Sequence, residues 1–335
     1  MIDTGVTPMP GLDTQLVERI SVVGDDVDDV MHTPANPFSG HGTFVAKMIT
    51  ELWPAAKIIS VRAFKTATNG ALAADYQSAV SECIQPPRRT NVITLALGTS
   101  QGDLARLENK IVNAHEYFGV NVIAAAGNDG NANSVDYPAR FSASLAVGAT
   151  EASGSFCAFS NRGEGLDLGA PGCPAHVTAF DGRLGAFRGT SFAVPSVAAV
   201  LVALRSYRPE LTSDQAERLL LSPGRVLDAA AVFKAAGLKV PSPPGAAAPD
   251  ATPSPMVVDR RPDRPQVRRL TLRRGTLRIE VGRPPHGGRT VFRVGTRSYP
   301  RRNGKLRLKV RSWRPVTVFT EDEWGVRSPA LRIRR

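Results

Sequence analysis

A chain of 335 residues with 42% hydrophobic residues can bury at least one substantial core, and its length fits two domains better than one. The longest strongly apolar stretch, Phe192 to Leu204, is 13 residues long and contains Pro195, too short for a membrane span of roughly 18 or more residues, so it is read as a buried helix. The formal net charge of +12 is unevenly divided: from Met256 onward 23 Lys and Arg stand against 6 Asp and Glu, while 19 stand against 24 before it, so the two ends are chemically different units.

The chain opens on Asp3-Thr4-Gly5. Only Met1 and Ile2 precede it, too few for a central strand of about five residues. No charged segment and apolar run of the secretory type comes before it either. A truncated or wrongly started chain is therefore expected, lacking a leader and a pro-segment. Gly40-His41-Gly42-Thr43 follows, opening a helical run with Val45, Met48, Ile49 and Leu52 on one face. The flanking glycines permit close backbone approach, and an imidazole titrating near about 6.5 can accept and return a proton. The other histidines, His32, His115, His176 and His286, are read as surface residues.

Short β-rich runs then alternate with helical patterns: Ile58 to Ala63, Asn91 to Leu97, Asn121 to Ala126 and Leu145 to Ala149 as strands, Ala73 to Ile84 and Leu104 to Phe118 as helices. This alternation predicts an α/β fold, a three-layer sandwich with a mainly parallel sheet. Gly98-Thr99-Ser100-Gln101-Gly102, between a strand and a helix, matches the nucleophile elbow of α/β-hydrolase esterases. That reading leaves the Gly40 to Thr43, Ala126 to Asn128 and Gly189 to Pro195 segments without roles. The three cysteines, Cys83, Cys157 and Cys173, lack the spacing of a zinc site. Cys157 and Cys173 could pair in an exported protein, but small buried thiols are the preferred reading.

Gly189-Thr190-Ser191-Phe192-Ala193-Val194-Pro195 leads into the apolar helix, placing Ser191 where free N–H groups and the positive end of a helix dipole suit a developing oxyanion. Asp3, His41 and Ser191 thus supply an acid, a base and a nucleophile in one of the known triad orders. Asp3-Thr4-Gly5 also matches the aspartic-protease loop, but there is no second Asp-Thr-Gly or Asp-Ser-Gly to share a proton. Thr212-Ser213-Asp214 opens a helix over Gln215 to Leu221, and the unit ends near Ala236-Gly237. Pro241 to Pro255 reads as a semi-extended linker. From about Gln266 the period becomes two, with Leu270 and Leu272, Leu277, Ile279 and Val281, then Leu306, Leu308 and Val310, and turns such as Arg302-Asn303-Gly304. The boundaries expected are 1–240, a linker over 241–265, and a small basic antiparallel β domain over 266–335. Its charge fits either a solvated strand face or attachment to an anionic surface. Tyr299, Trp313 and Trp324 offer little stacking for nucleic acid.

From Met1 to about Ala236 these motifs resemble those of the subtilisin-like serine proteases, the subtilases. Asn91 to Gly98 resembles the family's substrate-binding strand and Val122 to Gly130 its oxyanion segment; Tyr137-Pro138 and Ala170-Pro171-Gly172 also fall in family order. The resemblance implies Asp3 as orienting acid, His41 as general base, Ser191 as nucleophile and Asn128 as oxyanion donor. It implies substrate contacts at Ala96, Leu97, Gly98, Ala125, Ala126 and Gly127, and places Asp136 at the floor of the pocket before the cleaved bond, where a carboxylate would favour Arg or Lys. No cofactor is implied. The short Glu51 to Lys57 segment leaves no room for the calcium loop of some members. The substrate would be a polypeptide and the destination secreted or periplasmic. A catalytically silent scaffold with a binding β domain is the alternative from another class. The ending Val316 to Ser328 resembles the last hairpin of bacterial immunoglobulin-like modules.

Overall fold

The computed structural model describes residues 1–24, 26–64, 73–86, 88, 90–96, 98 and 104–239, and in the C-terminal part 267–273, 276–281, 289–294, 297–301, 305–309, 316–321 and 331–333. The predicted linker, Ser100 and most of its elbow, Leu97, His286, Trp313, Trp324 and the Arg302 to Gly304 turn lie outside the described residues. Two units divide the chain, Met1–Met256 and Val257–Arg335.

The first unit is built on a seven-stranded parallel sheet. In chain order its strands are β1 (Ile2–Asp3), β2 (Leu16–Ser21), β3 (Ile58–Arg62), β4 (Val92–Leu95), β5 (Asn121–Ala125), β6 (Leu145–Thr150) and β7 (Leu168–Pro171). They lie in the order β2-β3-β1-β4-β5-β6-β7. Helices α2 (Ala73–Ile84) and α3 (Leu104–Glu116) pack together, as do α1 (His41–Leu52) and α4 (Val194–Tyr207). The result is the three-layer α/β sandwich that the alternating pattern predicts. β5 and β6 are buried at every position, as continuous apolar runs in a covered parallel sheet must be.

The first strand holds only two residues, Ile2 and Asp3, and lies inside the sheet between β3 and β4. Two residues serve as the central strand because neighbours on both sides supply the pairing. Ile2 lies opposite Val61 and Leu95, and Asp3 opposite Arg62. Met1 C=O and Asp3 C=O accept from the N–H groups of Val61 (2.8 Å) and Ala63 (3.0 Å). The Met1 amine donates to Ile59 C=O at 2.7 Å. Ile2, fully buried, anchors the strand in the core.

α4 is nearly apolar all round because it runs through the core: Val197, Ala198, Leu201 and Leu204 are buried with Val45, Ile49 and Ile123 in one cluster. The 18 residues Thr190–Tyr207 are apolar enough to cross a membrane by length and composition, with a mean hydropathy of 1.3, but 78% of them is buried within the protein. Helix α5 (Ser213–Leu221) begins with a complete capping box between Thr212 and Gln215, and α6 (Ala229–Ala235) is capped by Asp228. His115 is buried rather than at the surface. Its Nε2 lies 3.1 Å from Glu217 and 3.5 Å from Asp214 of α5. Burial acts to lower its pKa, but the Glu217 hydrogen bond and the carboxylate charges outweigh it and raise the value. His32 is half-buried against the Phe180 ring, 4.3 Å between centroids, and His176 is exposed.

Two short strands, β8 (Ala175–Thr178) and β9 (Leu184–Phe187), form a hairpin outside the main sheet. The second unit holds two antiparallel sheets. One is β10 (Val267–Arg273), β11 (Thr276–Val281) and β14 (Lys305–Lys309); the other is β13 (Arg297–Arg301), β12 (Arg289–Val294), β15 (Val316–Glu321) and β16 (Leu331–Ile333). Leu277, Ile279 and Leu306 of one sheet share a core with Phe292, Val316 and Val318 of the other. The period of two follows from this: Arg278 and Arg307, paired across β11 and β14, stay exposed between aliphatic neighbours that are buried or, at Leu308, half-buried.

Candidate active site

Asp3 stands at the C-terminal end of β1, in the crevice region of an open parallel sheet, and is wholly buried. His41 is the first residue of α1. Its Nδ1 lies 2.7 Å from Asp3 Oδ1, which also accepts the Thr4 N–H at 2.7 Å; Asp3 Oδ2 has no hydrogen-bond partner among the described residues. Burial would depress the imidazole pKa, but the charge and hydrogen bond of Asp3, with the charge of Asp29, outweigh it and hold the value above the ordinary one. Gly42 allows this approach. A Cβ there would collide with Gly5 C=O and press on the Asp3 side chain.

Ser191 lies in a 3-10 turn, Thr190–Phe192, that runs into α4. The hydrogen bonds of this turn come from Phe192 N–H to Gly189 C=O and from Ala193 N–H to Thr190 C=O, both 3.1 Å, so the Ser191 N–H is not consumed by it. The Phe192 ring packs on the His41 ring at 5.5 Å between centroids, joining the Ser191 turn to the start of α1.

Asn128 follows β5 and is exposed. Its Oδ1 accepts from Thr190 N–H at 2.9 Å and Thr190 Oγ1 at 3.1 Å, and Gly127 N–H donates to Thr190 Oγ1 at 3.2 Å. With Oδ1 so occupied, the amide presents its Nδ2 donor beside Gly189. Thr190, next to the predicted nucleophile, is thus what orients Asn128.

Ala96 is buried at the end of β4 and Gly98 is exposed; Ala125, Ala126 and Gly127 run on from β5. Asp136 lies between these two segments. Its N–H donates to Ala126 C=O at 2.9 Å, and its Cβ is close to Gly98. Gly127, at φ 102°, has Asp136 Oδ2 and the Asn161 side chain packed where a Cβ would stand. Burial, then the charge of Asp129, raises the Asp136 pKa.

The cysteine reading is corrected here: Cys157 and Cys173 form a disulfide, Cα atoms 6.5 Å apart, and Cys83 is a free buried thiol. Sequence alone left the choice between pairing and free thiols open, because it is β6 and β7 that align the two loops. The bridge ties the segment carrying Asn161 to Gly172. Asn161 Oδ1 accepts the N–H groups of Asp129 and Asn131 at 3.0 and 2.9 Å, and Gly172 C=O accepts the Gly189 N–H at 3.0 Å. Both loops that flank Ser191 are thereby braced.

The arrangement combines an acid-bound imidazole, a serine at a helix entrance, and N–H donors beside it. A sequence model described as the subtilase family matches residues 1–237. Subtilisin BL of Lederbergia lenta is 31% identical over 233 residues, covering 64% of this chain and 78% of the relative. M-protease of Shouchella clausii is 30% identical over 230 residues, but the chain spans only 55% of it. A crystal structure of a cold-adapted subtilisin-like serine proteinase superimposes with a TM-score of 0.58 at 31% identity, covering 66% of this chain and 79% of that one. With a match over most of its length, the chain belongs to the subtilase family, whose members are serine endopeptidases.

Proposed function

We propose that the protein hydrolyses peptide bonds through an acyl-enzyme on Ser191, with His41 as general base and Asp3 as its orienting acid. The observation that carries this reading is the partly buried 2.7 Å hydrogen bond from His41 Nδ1 to Asp3 Oδ1, next to the Ser191 turn. A bond at Nδ1 leaves Nε2 to take the Ser191 Oγ proton as Oγ attacks the substrate carbonyl carbon. The resulting oxyanion is held by the Ser191 N–H and Asn128 Nδ2. The C–N bond breaks as His41 returns the proton to the leaving amine. Water, deprotonated by His41, then cleaves the ester. Ala96 to Gly98 and Ala125 to Gly127 flank the extended substrate on two sides, and its backbone pairs with them as an added strand.

A fluorophosphonate probe tests this: the wild type takes the label and Ser191→Ala does not. Labelling unchanged in Ser191→Ala would sink the assignment, labelling lost only in Ser100→Ala would favour the elbow reading, and a wild type that takes no label would favour the silent scaffold.

Asp136 gives the pocket a carboxylate, and we read the preference before the cleaved bond as Arg or Lys. A charge-assisted hydrogen bond contributes about 1.5–3 kcal/mol. Asp136→Ala is therefore expected to lower kcat/KM for Arg substrates about 10- to 100-fold relative to Leu substrates. An unchanged Arg-to-Leu ratio would remove Asp136 from the pocket's function. Because the Asp136 pKa is raised, the preference fades as pH falls through that value.

The Cys157–Cys173 disulfide supports a secreted or periplasmic destination, since such bonds persist in oxidising compartments. The exposed Arg278, Arg293, Lys305 and Arg307 support reading 266–335 as a unit that attaches to an anionic surface, with an affinity that would fall with salt.

A further inference from the structure

Among the described residues, the proposed chemistry leaves one buried carboxylate near the triad without a role. Asp29 is 4% exposed, and four donors saturate it. Oδ1 accepts from Thr4 Oγ1 at 2.7 Å and Met31 N–H at 3.0 Å; Oδ2 accepts from Thr43 N–H at 2.8 Å and Thr43 Oγ1 at 2.9 Å. Its own segment is stitched to the one after Asp3, by Asp29 N–H to Thr7 Oγ1 (3.1 Å) and Val30 N–H to Thr4 C=O (2.9 Å).

The need for it arises from the helix that bears His41. The first N–H groups of a helix have no partner within it and usually rely on the side chain of the N-cap residue. The N-cap of α1 is Gly40, at φ 115°, which has no side chain. Two residues from outside the helix take over. Gly42 N–H donates to Thr4 Oγ1 at 3.0 Å and Thr43 N–H to Asp29 Oδ2. The carboxylate also lies at the positive end of the helix dipole.

Thr4 couples this cap to the acid. Its Oγ1 lies 2.7 Å from Asp29 Oδ1 and 3.2 Å from Asp3 Oδ1. A hydroxyl has one proton to give, and the shorter contact takes it. Asp3 Oδ1 is then served by Thr4 N–H and His41 Nδ1.

We propose that Asp29 is a positioning residue: it caps α1 from outside the helix, orients Thr4, and so holds the His41 ring against Asp3. This rests on the triad reading above. The charged groups facing His41 are Asp3 and Asp29, with His32 behind Gly40 and the apolar Phe192 ring beside the imidazole. Removing the Asp29 charge lowers the stability of the imidazolium, so the acid limb of the pH profile moves to lower pH.

The test is the pH dependence of kcat and KM for the full chain on a peptide substrate, normalised to fluorophosphonate-titrated sites. Asp29→Asn is expected to lower the acid-limb midpoint by roughly 0.3–1 pH unit. Its kcat falls about 10- to 100-fold with KM within about threefold, as a displaced base would give. Thr4→Val reproduces the loss of kcat and Thr4→Ser restores it. A labelled, folded Asp29→Asn with wild-type kcat and acid limb overturns the inference alone. A wild type that takes no label overturns the triad reading and this inference with it. If Asp29→Asn does not fold, the threonine pair decides: equal kcat in Thr4→Val and Thr4→Ser overturns it.

Discussion

Asp3→Asn is expected to lower kcat by about 10⁴-fold with little change in KM, the scale of the same exchange in a serine protease triad. The geometry gives the reason. A single oxygen, Asp3 Oδ1, accepts from both His41 Nδ1 and Thr4 N–H, each at 2.7 Å. Asn can occupy this site in two ways. If its oxygen stays at the Oδ1 position, the His41 tautomer is kept but the negative charge that stabilises the imidazolium is gone, and an amide NH₂ is buried where Oδ2 has no partner. If the amide turns over, its NH₂ faces the Thr4 N–H donor and drives His41 to carry its proton on Nε2, where it cannot accept one from Ser191. Either way the transition state loses charge stabilisation, and the acid limb set by the His41 pKa, held above its ordinary value in the wild type, moves to lower pH. Steady-state kinetics on a peptide substrate, with sites counted by active-site titration, measures this. Activity within about tenfold of wild type would remove Asp3 from the orienting role.

The residues legible in the sequence are those whose signal is local. His41 and Ser191 stand at helix starts marked by Gly and by an apolar run, and strands β3, β4, β5 and β6 are short and mostly apolar, as strands of a covered sheet are. β2 lacks this signal: Leu16–Ser21 is a half-buried edge strand, with Glu18 and Arg19 in its middle. β1 was hidden by the opposite problem, since its stability comes from partners far along the chain, Val61, Arg62 and Leu95, rather than from its own two residues. Asp29 stands in Gly24-Asp25-Asp26-Val27-Asp28-Asp29 and looks like its acidic neighbours. Only the approach of Thr4 and Thr43 distinguishes it. His115 likewise depends on Glu217, 102 residues away, and the Cys157–Cys173 pair on the alignment of the loops after β6 and β7, neither of which a spacing rule records.

Asn128→Ala is expected to lower kcat about 10²- to 10³-fold while KM stays within about threefold, because an oxyanion donor acts in the transition state and little before it. The side chain has two tasks, and the prediction must separate them. Oδ1 holds the Thr190 N–H and hydroxyl, at 2.9 and 3.1 Å, and so shapes the turn that carries Ser191. Thr190 is fully buried, so losing Oδ1 leaves an unpaired N–H at a cost of about 1–3 kcal/mol. Asn128→Asp divides the tasks. The carboxylate still accepts from Thr190, so the turn and its stability persist, but an oxygen replaces the Nδ2 donor and repels the developing oxyanion. The Asp variant should therefore be as slow as the Ala variant or slower while melting close to wild type, and the Ala variant should also lose stability. If Asn128→Asp turned over within about tenfold of wild type, Nδ2 would not be the donor, and the role of Asn128 would reduce to holding Thr190.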